Sequence, residues 1–83
     1  MKNIEVKKTT YKVDGCTEPC FEVTNGFVMI RIAPFYHYIG NDTILITEYH
    51  DGEFASREEW DIPWDYIGKP EAVDIAKRFS VYL

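Results

Sequence analysis

Four side chains in this sequence are soft or borderline zinc ligands: Cys16, Cys20, His37 and His50. A Cys-x3-Cys spacing is compatible with a structural zinc site. The two histidines are separated by twelve residues, whereas structural sites space such pairs by about three to five. We therefore expect no metal and no other cofactor, with the cysteines either free or joined in a small disulfide loop.

Covalent and acid–base catalysis have equally little support. Glu18 and Glu22 lie beside the cysteines, and negative charge disfavours a reactive thiolate. The chain contains no glycine-rich phosphate loop, no Gly-x-Ser-x-Gly sequence and no His-Glu-x-x-His sequence. Carboxylates are abundant between positions 48 and 65, but abundance without geometry is typical of a solvated surface. We predict that the protein is not an enzyme.

The same acidic stretch is interleaved with aromatic residues, and Arg57 is its only cation. Rings offer anchors that can be desolvated, and carboxylates steer a basic partner. The alternative is that Trp60 and Trp64 belong to the core of a domain short of apolar volume. The candidate partner-binding residues are Glu48, Tyr49, Asp51, Glu53, Phe54, Glu58, Glu59, Trp60, Asp61, Trp64 and Asp65.

The overall charge argues against direct binding to nucleic acid. The chain contains nine Lys and Arg residues and fourteen Asp and Glu residues, so its net charge is −5. The first twelve residues are nevertheless basic, because Lys2, Lys7, Lys8 and Lys12 outnumber Glu5. These lysines could contact phosphates beside a stacking ring such as Phe27 or Tyr36, or they could guard an edge strand against unwanted pairing.

Length and apolar content predict one domain over residues 1–83, since 46% of the residues are hydrophobic and a chain this short cannot build two cores. The longest apolar run covers only residues 27–30, so we expect no membrane association. Because the N-terminus lacks the apolar segment of a secretory signal, we expect a cytoplasmic protein. We further expect a monomer or a homodimer.

Two dipeptides predict tight hairpins, because Asn-Gly and Asp-Gly tolerate the positive φ angles of a two-residue turn. Around Asn25-Gly26, counting outward pairs Thr24 with Phe27 and Phe21 with Ile30. One face of this hairpin is then wholly apolar and is expected to form the core, with members Phe21, Val23, Val28, Ile30 and Ile32. The second turn, Asp51-Gly52, pairs Tyr49 with Phe54 and Glu48 with Ala55.

The remaining segments are less regular. A change of apolar parity predicts a bulge near Lys8-Thr9 or a strand that bends there. Asp14-Gly15 predicts a turn, and residues 16–19 predict a loop that contains Pro19. Residues 35–42 are expected to form an aromatic connection that either packs back on the core or offers an aromatic surface to another molecule. Residues 53–60 either continue as a strand or form a capped helical turn from Ser56 to Glu59, and we expect a strand for the first half only.

Pro70 opens the one strong helix pattern, which runs to Phe79 with an apolar stripe and with cations in its last turn. The tail after it, residues 80–83, either adds a short strand or packs under the helix. The predicted fold class is α+β: a small antiparallel sheet of four to five strands, built from two β-hairpins, with one C-terminal helix packed on one face.

Together these features favour a non-catalytic small acidic binding protein. The most specific hypothesis is a phage or mobile-element inhibitor that mimics nucleic acid and occupies a basic, nucleic-acid-binding site on a larger host protein such as a CRISPR effector. This is an analogy of size and charge with anti-CRISPR proteins. The alternatives are a small-ligand or zinc-binding module that uses His37, Tyr36, Tyr38 and Cys20, and a sheet-face nucleic-acid-binding domain.

Overall fold

Five antiparallel strands form a single sheet in which each strand neighbours the next one along the chain. The computed structural model describes residues 3–36 and 42–83. The elements are β1 (Glu5–Val13), β2 (Cys16–Thr24), β3 (Val28–Tyr36), β4 (Asp42–His50), β5 (Glu53–Trp60), a 3-10 turn (Trp64–Tyr66) and the helix α1 (Lys69–Phe79). The predicted α+β class, with one C-terminal helix on an antiparallel sheet, is confirmed.

The core lies between α1 and one face of the sheet, here called the helix-side face. Successive residues of a strand point to opposite faces, so every second residue of the central strands points to the side on which the helix lies. The apolar face predicted for the first hairpin is buried as expected, and so is the helix stripe. The buried cluster comprises Phe21, Val23, Val28, Ile30, Ile32, Ile44 and Ile46 of the sheet with Ala72, Ile75 and Ala76 of α1. The other face, called the open face, is covered by no described helix or strand.

The reversal between β2 and β3 is wider than predicted. Thr24 pairs with Met29, and Phe21 pairs with Ile32, so the predicted register is wrong by two residues. The cause is the Asn25 side chain, whose Oδ1 accepts hydrogen bonds from the backbone N–H groups of Phe27 and Val28 at 3.1 and 2.9 Å. A shift of two residues preserves the alternation, and the predicted faces therefore survive.

The turn between β4 and β5 has the predicted two residues. Asp51 and Gly52 have φ angles of 51° and 85°, and Tyr49 pairs with Phe54 as expected. A bulge follows, so Glu48 lies opposite Ser56 and the predicted Glu48–Ala55 pair is wrong. The bulge places Phe54 on the open face, whereas the later even-numbered residues of β5 point to the helix side.

Three local predictions fail because strand pairing overrides them. β5 continues to Trp60, so the helical turn from Ser56 to Glu59 is wrong. β1 keeps one unbroken register with β2, so there is no bulge near Lys8-Thr9. Residues 16–19 belong to β2 and are not a loop.

Pro19 is tolerated in β2 because hydrogen bonding to the next strand has already ended there. Pairing of β2 with β3 covers Phe21 to Thr24. Continuing that register places Pro19 opposite Pro34, and neither nitrogen carries a hydrogen to donate. The two prolines therefore mark the point where β2 leaves β3.

The helix begins at Lys69, one residue before the predicted start, and ends at Phe79 as predicted. The Glu71 side chain accepts a hydrogen bond from the N–H of Gly68 at 2.8 Å, which satisfies one of the free donors at the helix start. The tail after α1 forms no strand, and Leu83 packs against the core.

The predicted aromatic connection is wrong at both ends, because Phe35 and Tyr36 belong to β3 and Asp42 to β4, where strand pairing continues. Its middle, including His37 and Tyr38, lies outside the described residues. Within residues 3–36 and 42–83, no helix combines the length and the hydropathy that crossing a bilayer requires.

Candidate functional site

One group of exposed carboxylates lies along one margin of the sheet. β5 is the last strand of the sheet, and all of its residues before Trp60 are exposed. The turn before β5 and the segment after it add further exposed acids. We call this set the acidic edge; it consists of Asp51, Glu53, Glu58, Glu59 and Asp61. Asp65 is exposed but does not belong to it, because its 3-10 turn contacts β4 and the neighbouring Trp64 packs on Phe21 of β2.

The acidic edge presents charge on both sides of the strand. The pairing with β4 puts Glu53 and Glu58 on the helix side. Glu59 lies on the open face, where it accepts a hydrogen bond from the Thr43 hydroxyl at 2.8 Å. Five carboxylates thus lie along one margin, and Arg57 is the only cation between positions 51 and 61. The arrangement produces a negative field directed outward from the strand edge.

Glu48 does not belong to this surface. It lies on the helix-side face with only 6% of its surface exposed, and its carboxylate contacts Nε2 of His50. The rings of Phe27 and Tyr82 pack against the His50 ring at centroid distances of 5.9 and 5.0 Å. Glu48 is therefore buried beside a His50 ring that Phe27 and Tyr82 cover in part.

The two tryptophans contribute to the core. Trp60 is half-buried, with its ring 6.1 Å from that of Phe79, and its Nε1 donates to Glu58 at 3.1 Å. The Trp64 ring lies 5.3 Å from that of Phe21, and both tryptophans pack against the buried cluster. Both rings pack at the border of the core beside α1. They do not project from the surface as anchors for a partner.

Tyr49 and Phe54 lie on the open face, in a group of side chains that the sequence patterns alone did not bring together. The Arg31 guanidinium lies 4.6 Å from the ring centroid of Tyr11 and 5.2 Å from that of Tyr49. Arg57 lies 5.6 Å from the centroid of Phe54, which meets Tyr49 edge to face at 6.4 Å. We call these five residues the open-face cluster.

Arg31 is the centre of this cluster. Its Nη1 donates to the Tyr49 hydroxyl at 3.1 Å, and its Nη2 lies 3.6 Å from the Glu22 carboxylate. Its Nε is buried and has no hydrogen-bond partner among the described residues. Burial also raises the pKa of the Tyr11 hydroxyl, so that tyrosine stays neutral.

A groove of about 170 Å³ runs through the open-face cluster, with Ala33, Leu45 and Thr47 among its lining residues. The described residues that line it include two arginines and no carboxylate. Its volume is below the roughly 300 Å³ of ordinary small-molecule sites. A second cleft on the same face, of about 480 Å³, contains Glu5, Lys7 and Glu22.

Tyr11, Arg31 and Arg57 are the cluster members that sequence reasoning did not assign to a site. Alternation along β3 does place Arg31 opposite the buried isoleucines. Its meeting with Tyr11 depends on the order of three strands, which no local pattern contains.

The cysteines do not form a metal site together. Both lie on the open face of β2, four residues apart, which corresponds to about 13 Å along a strand. One ion or one disulfide cannot span that distance. Both thiols are free, Cys16 exposed and Cys20 buried. No group of three or more potential ligands occurs in the described part of the chain, and His37 lies outside it.

No protein-family model matches this chain, and no curated protein or solved structure is detectably similar to it. Any function must therefore be argued from the arrangement itself. That arrangement offers one strongly acidic strand edge and one uncovered sheet face with rings and arginines.

Truncating the aromatic side chains separates core rings from exposed ones. We expect Trp64→Ala to lower the free energy of unfolding by about 2–4 kcal/mol, because it leaves a void against Phe21. Phe54→Ala should cost less than about 1 kcal/mol, because 58% of Phe54 is exposed. Urea unfolding of both variants measures this difference. Equal losses would contradict the assignment of Trp64 to the core.

The two thiols should differ in reactivity. Burial raises the pKa of the Cys20 thiol, with a further contribution from the Glu22 carboxylate, so the reactive thiolate is disfavoured. We expect a disulfide reagent to titrate one thiol per native chain quickly and the second only in denaturant. Cys16→Ser should remove the fast phase, whereas Cys20→Ser should leave it intact. Fast modification of both thiols in the native protein would refute the burial of Cys20.

Proposed function

We propose that this protein is a non-catalytic binding protein whose acidic edge docks on a basic surface of a larger protein. The observation that carries this proposal is the exposure of five carboxylates along one strand edge with a single neighbouring cation. Charges of one sign on an exposed margin increase the rate of encounter with an oppositely charged surface and orient the partner.

The edge strand supplies a second means of attachment. Among the described residues, β5 pairs with β4 alone, so the backbone N–H and C=O groups on its outer side have no strand partner. An extended segment of another protein can hydrogen-bond to such an edge. A partner segment rich in lysine or arginine would then meet the carboxylates on both sides of β5.

The density of charge limits how closely this edge resembles nucleic acid. β5 has eight residues, which span about 26 Å. It carries three carboxylates and one arginine over that length, whereas a DNA strand carries about eight phosphates. The edge therefore replaces a few phosphates at most, and backbone pairing has to contribute the rest of the affinity.

The more specific proposal is an inhibitor of a nucleic-acid-binding enzyme. A basic channel that binds phosphates is a common surface on which a small acidic edge finds complementary charge. A phage or mobile-element protein that blocks a cytoplasmic host enzyme, such as a CRISPR effector, fits this charge and this size. Support for this version is by analogy of these properties.

Catalysis is not part of the proposal. The acids of the edge are exposed to solvent, and the Glu48–His50 pair lies on the face opposite the two grooves. Glu48 and His50 lie on the helix-side face, while both grooves described above lie on the open face. A general acid or base has to reach its substrate directly or through one water.

Affinity capture from the native host tests the proposal. The bait is the full chain, compared with an edge variant (Glu53→Gln, Glu58→Gln, Asp61→Asn). The control variant (Glu5→Gln, Glu18→Gln, Asp74→Asn) changes the same number of charges away from the edge. We expect the wild type and the control to retain a basic protein at about 0.05 M salt and to lose most of it at about 0.5 M. The edge variant should retain at least about tenfold less.

Equal capture by all three baits would show that the acidic edge is not the docking site. For the inhibitor version, the captured protein is then assayed for nucleic-acid binding with increasing amounts of wild-type chain. Unchanged nucleic-acid binding at saturation would leave a binding protein that is not an inhibitor.

The open-face cluster is the observation that favours a second candidate, direct binding of single-stranded nucleic acid. Rings and guanidinium groups on an uncovered sheet face can stack with bases. The opposing factor is the net charge of −5. We expect a fluorescent single-stranded oligonucleotide to show no saturable anisotropy change at low ionic strength. Saturable binding that is lost in Tyr49→Ala and Arg57→Gln would establish the second candidate instead.

A further inference from the structure

The two outer strands of the sheet carry opposite charge. β1 contains Lys7, Lys8 and Lys12 with one acid, Glu5. β5 contains three acids, Glu53, Glu58 and Glu59, with one cation, Arg57. We call the three lysines the basic edge. All three lysines are exposed. Nζ of Lys7 also forms an ion pair with the Glu22 carboxylate at 3.6 Å.

Both outer strands also leave one side of their backbone unpaired. In the described part of the chain, β1 pairs with β2 alone and β5 with β4 alone. The two strands have nine and eight residues, so their lengths match. All four neighbouring pairs are antiparallel, and β1 and β5 therefore run in the same direction.

We propose that β1 of a second copy of this chain adds to β5 of the first, head to tail, and extends the sheet. With all helices on one side of the extended sheet, the added β1 runs parallel to β5. Pairing of two β5 strands, or of two β1 strands, would place like charges opposite each other, which is destabilising. The opposite signs of the two edges thus select the head-to-tail arrangement among the possible edge contacts.

Head-to-tail contacts leave one free edge at each end, so association is open-ended and does not close into a dimer. Exposed ion pairs are individually weak and are screened by salt. The expected behaviour is an average mass that increases with protein concentration and decreases with salt. If no acidic strand were present to pair with them, lysines on an edge strand would instead suppress strand pairing between molecules.

This inference goes beyond the proposed function, although both use β5. Self-association and partner binding would compete for that strand. They can be tested separately, because Lys8→Glu with Lys12→Glu alters only the basic edge. That variant should lose self-association and still bind the partner captured by the wild type.

Sedimentation velocity of the full chain at several concentrations, in about 0.02 M and about 0.5 M salt, measures the association. We expect about a tenfold weaker association at the higher salt concentration. The basic-edge variant (Lys8→Glu, Lys12→Glu) and the acidic-edge variant (Glu53→Lys, Glu58→Lys) should each remain monomeric.

The acidic-edge variant also excludes a general effect of net charge. Each Glu→Lys change adds two positive charges, so the net charge changes from −5 to −1. Weaker overall repulsion would then increase self-association, whereas the proposed contact predicts a decrease. An increase would overturn the proposal.

Mixing the two variants provides the decisive measurement. Both outer strands are acidic in the basic-edge variant, and both are basic in the acidic-edge variant. Each variant can therefore pair with the other. We expect the mixture to recover an average mass close to that of the wild type. A mixture of folded variants, as judged by circular dichroism, that stays monomeric would overturn the proposal. A wild type that is monomeric at every concentration in low salt would do the same.

Discussion

Burial of one aliphatic stripe of the sheet against one helix is the interaction on which the rest of this structure depends. A helix with its side chains is about 10–12 Å wide, whereas five strands span roughly 24 Å. One helix therefore cannot cover even one face completely. The segment between β5 and α1 and the chain terminus cover part of the remainder, through Ile62, Trp64, Ile67 and Leu83. This requirement explains why Trp64 lies against Phe21 and is not offered to a partner.

The second consequence is that no helix or strand among residues 3–36 and 42–83 covers the open face or the outer edges of the sheet. Ionised side chains are costly to bury without partners, so they collect on the outer strands and the turns. The lysines of β1 lie on one margin and the carboxylates of the acidic edge on the other. The exception is Glu48, which is buried because the His50 ring lies against its carboxylate. On the open face, Arg31 is held between two tyrosine rings and paired with Glu22, so that face is structured without being covered.

Local sequence patterns predicted the faces of the strands better than their pairing. Phe21, Val23, Val28, Ile30 and Ile32 are buried as the alternation indicated, although the hairpin register is shifted, because a shift of two residues leaves the faces unchanged. The shift itself comes from hydrogen bonds of the Asn25 side chain, which compete with the tightest turn. The bulge in β5 was likewise not predictable from alternation, and it moves Phe54 to the face opposite Trp60.

The amino-acid sequence alone determined the fold class, the apolar stripes of the sheet and of α1, the positions of the turns and the acidic character of residues 48–65. These properties follow from neighbours along the chain, where side-chain periodicity and turn preferences act. Tertiary structure alone decided which of those acids and rings share a surface. Glu48 and both tryptophans turn toward the core, whereas Tyr11, Arg31 and Tyr49 meet across strands that are distant in sequence. The reason is that strand order and register bring together side chains whose proximity no local pattern encodes.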